Sequence, residues 1–195
     1  MKAIDVLMGE HRVIERVLDA LEAAADALDR DQPVRPGFFL EAADFIAGFA
    51  DGCHHHKEED VLFDAIVTSG LPAEQGPIPV MLLEHEMGRA FTRKMRDAAR
   101  QLTQGDATAA RQVVKNAKGY VALLRNHIMK EDEVLFPMAD QLLSPEGQDQ
   151  VLQRFARIER EDDRGGEGAH ERFVALAAAL EREATAGWTP QRVNG

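Results

Sequence analysis

Residues 53–63, CHHHKEEDVLF, set three consecutive histidines, a lysine and three acids directly against an apolar run. Residues 127–136, HIMKEDEVLF, repeat the arrangement. Aligned on the shared VLF, His54 matches His127 and Glu58 matches Glu131. Residues four apart on a helix share a face, so each stretch projects an imidazole and a carboxylate one turn apart. His11 falls on an apolar helical stripe, and His85 follows Met81 and Leu82 at core spacing. Four helices thus offer an inward histidine each, and two of them add a carboxylate. Imidazole with carboxylate suits Fe, Zn, Mn or Ni. Two carboxylates that each bridge a pair of ions would make a dinuclear centre. Buried Glu and His without such partners would be costly, so a metal gives a physical reason for their placement.

The elements that must position these groups are helices. Strand signals are nearly absent, and Ile4, Leu7, His11, Ile14, Leu18, Leu21, Ala25 and Leu28 mark one face of a long amphipathic helix. Two prolines break it within DQPVRPG. A second helix is expected over residues 38–68, a third over 80–102 and a fourth over 109–143, with Pro137 expected to kink or shorten the last. These predict an all-α, antiparallel up-down four-helix bundle over residues 1–143. Residues 144–195 are expected to form a C-terminal helical extension packing on it, with a glycine-rich turn at DDRGGEG and a loose tail. The register of the second helix has an alternative: His55, Glu59, Leu62 and Ile66 form a cleaner apolar line than His54 and Glu58 do. Gly48 and Gly52 can bend that helix and reset its facing.

Composition narrows the partners. A net charge of −11, from 34 acids against 23 bases, repels phosphate backbones and anionic lipid, so neither nucleic acid nor membrane is expected. No stretch approaches the roughly 18 continuous apolar residues of a membrane span. One cysteine and a charged N-terminal stretch without a signal-peptide apolar block point to the cytoplasm.

The segments EHRVIERVL, HHHKEEDVLFDAI, EHEMGRAF and NHIMKEDEVLFPMAD resemble the hemerythrin family, in particular bacterial hemerythrin-like proteins with the HHE cation-binding domain. The resemblance covers roughly residues 1–143. It implies a bundle holding two iron ions in a non-haem di-iron centre that binds or senses oxygen or nitric oxide. It implies metal ligands at His11, His54, Glu58, His85, His127 and Glu131, and so favours His54 and Glu58 over His55 and Glu59. Oxygen-carrying hemerythrins have a fifth histidine on the third helix, spaced four from another; here Met81 and Arg89 flank His85 at that spacing. The extension carries one further histidine, His170, and its glycine-rich approach can turn back to supply the fifth ligand or cover the pocket. Asp132 is an alternative to Glu131 as a bridge, and Tyr120 a candidate hydrogen-bond donor to a bound ligand. The expected partner is a small gas, O2 or NO, with signalling left to another protein. The alternatives are a di-iron enzyme acting on peroxide or nitric oxide, and an iron-dependent regulatory module.

Overall fold

Ala, Leu, Glu and Arg favour helical backbone, and no strand occurs among the described residues. In a computed structural model the chain is described over residues 2–162 and 168–188. Most of the expected glycine-rich turn and the end of the tail lie outside the described residues. The first rod is α1 (Ala3–Asp29). The second is composite: α2 (Pro36–Phe45), a π-helical segment π1 (Ile46–His55), a second one π2 (Glu58–Leu62), and α3 (Phe63–Thr68). The third is α4 (Pro77–Thr103). The fourth joins α5 (Ala110–Lys130), π3 (Glu131–Leu135) and α6 (Phe136–Leu142). Two more helices follow, α7 (Pro145–Asp162) and α8 (Ala169–Ala186).

The four rods make an all-α hemerythrin-like bundle. Helix α5 packs along α1 and α4, and α4 along α2. Helix α8 lies against α1 and α2, while α7 covers π1, π2 and part of α1. Gly48 makes room for α8: a Cβ there would stand 2.0 Å from the Phe173 ring. Proline does not interrupt the fourth rod. Pro137 falls in the first turn of α6, just past π3, where the missing N–H coincides with the change of winding.

Two apolar clusters fill the interior. One gathers Ile14, Leu21, Phe45, Phe49, Met95 and Leu124 with Leu180 of α8. The other gathers Leu7, Leu62, Phe63, Met81, Leu135 and Phe136 with Phe155 of α7. Between them every rod breaks its apolar run with buried polar side chains: His11; His54, His55 and Glu58; His85; His127 and Glu131. This polar layer is the candidate site. No helix among the described residues is long and apolar enough to cross a membrane.

Candidate metal centre

The layer divides into two overlapping groups whose donor atoms lie within 4.8 Å of one another. One is His55, Glu58, His85 and His127; the other is His11, His54, Glu58 and Glu131. The two glutamates tie them together. Glu58 turns Oε1 toward His54 Nε2 at 3.6 Å and Oε2 toward His85 Nε2 at 3.5 Å. Glu131 turns Oε2 toward His11 Nε2 at 3.3 Å and Oε1 toward His127 Nε2 at 3.2 Å. Each carboxylate therefore faces an imidazole of both groups. Three imidazoles stand on one side and two on the other.

Local winding produces this inequality. In an α-helix neighbours such as His54 and His55 point about 100° apart, so one of them would leave the interior. A π-helical segment bonds each amide five residues back and widens the turn. Because π1 runs through His55, both histidines are buried and both face the layer. Glu58 opens π2 and Glu131 opens π3, so each carboxylate is presented by the same kind of wide turn.

An outer ring of acids orients the histidines. His11 Nδ1 meets Asp132 at 2.8 Å, His54 Nδ1 meets Glu10 at 2.9 Å, and His85 Nδ1 meets Glu59 at 2.6 Å. His127 Nδ1 meets Glu84 at 3.0 Å, and His55 Nδ1 meets Asp51 at 3.4 Å. A carboxylate only accepts, so each Nδ1 carries the hydrogen and each Nε2 keeps its lone pair aimed at the layer. Cations back these acids in turn. Arg12 pairs with Asp132, Lys57 with Glu10, and Lys130 with Glu84. Arg89 spans Asp51 and Glu59 at 2.7 and 2.8 Å. Burial opposes ionisation of all five acids, but the facing imidazoles and cations outweigh it and hold them below the usual carboxylate range.

The inner carboxylates behave differently. Burial, then the neighbouring Glu131, push Glu58 well above the ordinary glutamate value. Burial acts the same way on Glu131, but His127 and His11 overcome it and hold it well below. Two facing carboxylates thus compete for negative charge, a competition that a cation between them would relieve. Burial drives His54 down to about 4 and His55 well below its usual value, so both offer neutral nitrogen.

These residues fit a bound metal pair. Both oxygens of Glu58, both oxygens of Glu131 and His11 Nε2 are buried without a hydrogen-bond partner among the described residues. Native interiors rarely leave such groups unsatisfied. His85 Nε2 and His127 Nε2 lie 2.9 Å apart although both Nδ1 atoms already donate to acids, so two lone pairs converge. Neighbouring donors on an ion bound at about 2.1 Å stand about 3 Å apart, close to the separations seen here. Imidazole and carboxylate donors without thiolate suit Fe, Mn, Zn or Ni.

The layer unites His11, His54, Glu58, His85, His127 and Glu131, the residues singled out from the sequence. It also takes in His55, which had stood as the alternative to His54; the π winding seats both. Glu59 and Asp132 lie one shell out, on His85 and His11. His170 lies outside both groups, near Glu10 and Cys53, with its ring 5.2 Å from that of Phe49. The fifth imidazole facing the carboxylates is thus His55 of the second rod. Tyr120 is buried, and its hydroxyl has no hydrogen-bond partner among the described residues. Sequence reasoning passed over Glu10, Glu84, Lys57 and Lys130. Their signal was present: a glutamate precedes both His11 and His85, and a lysine follows both His54 and His127 by three.

Three relatives, each described as an uncharacterized protein, come from Mycobacterium bovis and two strains of Mycobacterium tuberculosis. Each is 24% identical over 176 residues, covering 90% of this chain and 68% of the relative. No solved structure matches. The model of the hemerythrin HHE cation binding domain matches residues 2–139, a span that contains every histidine and carboxylate of the layer. The chain belongs to the hemerythrin family, through its HHE cation-binding domain.

Proposed function

We propose that the polar layer holds two iron ions and that the protein binds or senses a small diatomic ligand there, oxygen or nitric oxide. The unequal sharing of donors carries this reading: three imidazoles on one side, two on the other, and two carboxylates facing both. When bound, the iron pair supplies coordination and electron exchange to the ligand. The chain supplies the rest. The Nδ1–H bonds to the outer acids fix each ring and raise the basicity of its inward nitrogen. His11 and His54 make the side with fewer protein donors, which leaves more room for an incoming ligand. The apolar clusters shield the layer from bulk water on the two sides they cover. Phe136 stacks on the His11 ring at 5.3 Å and Phe63 on the His85 ring at 6.3 Å, limiting ring rotation. We place the protein in the cytoplasm, where its single cysteine stays reduced.

Metal analysis of protein purified without oxygen, followed by absorption spectra under oxygen and then nitric oxide, tests this. The expected result is about two iron atoms per chain and a spectrum that changes with the gas and returns when it is removed. Tightly bound zinc with no iron uptake would overturn the iron assignment. Irreversible consumption of the gas or of peroxide would make the centre an enzyme's.

A further inference from the structure

Behind the three-imidazole side lies a cavity of about 300 Å³ that opens to solvent. His55 and Tyr120 are among the residues that line it, with Ile46 and Ala47 from the second rod and Thr92 from α4. Three arginines of α4 also line it: Arg89, Arg93 and Arg96. Asp51 lines it too, so the cavity wall carries three cations against one carboxylate. Two of the three are spent on acids. Arg89 is held by Asp51, Glu59 and Glu86, and Arg96 by Asp44 at 2.7 Å. Arg93 is exposed and makes no ion pair among the described residues. The buried Tyr120 also lines the cavity, and its hydroxyl has no hydrogen-bond partner among the described residues. A purely ionic site would not be walled by Ile46, Ala47 and an aromatic ring.

We propose that this cavity binds a small organic carboxylate, its head group on Arg93 and its body against Ile46, Ala47 and the Tyr120 ring. A guanidinium at the mouth of a mostly apolar cleft selects a monoanion with an apolar body. Asp51, whose charge Arg89 offsets at 2.7 Å, orients His55 and also lines the cavity, so such a ligand occupies a position beside the metal layer rather than in it.

Tyr120 is the chain's only tyrosine, so tyrosine labelled at the ring ζ carbon alone gives one NMR resonance that needs no assignment. Benzoate is titrated into the purified protein with its metal in place and again after chelation. The expected result is a saturable shift of that resonance in both forms, with apparent affinity reduced roughly tenfold or more in Arg93→Ala. Arg111→Ala, another exposed arginine, should bind as the parent does. Sulfate at matched ionic strength should give no saturable shift. A benzoate shift that is absent, or that survives Arg93→Ala unchanged, overturns the proposal. A shift lost on chelation overturns it as well, because the anion would then sit on the metal. Equal response to sulfate overturns the apolar body. These outcomes do not depend on which gas, if any, the centre binds.

Discussion

Residues 3–68 and 77–142 are two versions of one device. Each opens with a Glu-His pair on a long helix, Glu10-His11 and Glu84-His85. Each ends in a His-x-x-Lys-Glu run that closes on Leu-Phe, from His54 to Phe63 and from His127 to Phe136. The contacts follow the same exchange. Glu10 holds His54 and Lys57, while Glu84 holds His127 and Lys130. The acid after each inner glutamate reaches across to the other half: Glu59 to His85, Asp132 to His11. His55 breaks the equivalence. Its counterpart is Ile128, which packs in an apolar cluster. The first half is π-wound for ten residues before its inner glutamate, whereas the second is α-helical up to Lys130. A symmetric scaffold thus yields an asymmetric donor set through a local change of winding.

The largest expected effect comes from what the halves share. Glu58→Ala or Glu131→Ala removes a group facing both imidazole sets, so either variant should lose both metals together, and its melting temperature should fall to that of chelated parent protein. Binding to the native state alone at a hundred to a thousand times Kd is worth about 3–4 kcal/mol, which sets the size of that fall. Loss of a single metal from either variant would show that the carboxylates are not shared.

Removing the asymmetry should cost less. His55→Ile makes the first half resemble the second and should weaken one metal while leaving the other; metal stoichiometry under competing chelator reads this directly. Ile128→His should not restore the missing donor, because the α winding there keeps that position in the apolar cluster. His56→Ala, at a position paired with Asp60 near the surface, should leave the stoichiometry unchanged.

The lysines separate the halves by burial. Lys57 is fully buried between Glu10 and Glu159 of α7, whereas Lys130 is partly exposed. Lys57→Met leaves a buried acid short of its partner and should cost about 3–5 kcal/mol in denaturant unfolding. Lys130→Met should cost about 1 kcal/mol or less. Equal losses would mean that α7 does not seal the first half.

The smallest effect is in pH. In the metal-free protein burial takes His54 down to about 4, with His11 adding to the shift. Its equivalent, His127, is raised, because Glu131 and Glu84 outweigh burial. Between about 4 and 6.5 the unfolded chain binds more protons at position 54, so the His54 contribution to stability fades as pH falls through that window. At position 127 the folded chain binds more protons, so its contribution is complete below 6.5 and fades as pH rises through the raised value. Imidazole NMR titration of the chelated protein should show the two departing from 6.5 in opposite directions. Parallel titration would break the contrast.

By itself the sequence determined the helices, the bundle and six of the seven inner groups, because the recurrence of apolar residues and the VLF repeat are periodic signals that survive without coordinates. It also contained the paired Glu-His and His-x-x-Lys spacings, although their cross-bonds connect separate rods and no spacing along one helix announces them. The tertiary structure alone decided that His54 and His55 face inward together. Sequence periodicity assumes one winding throughout, and on that assumption the two registers exclude each other. A wide turn is favoured only when the layer, the apolar clusters on either side and α8 against Gly48 hold it in place, and those contacts come from residues far away in the chain.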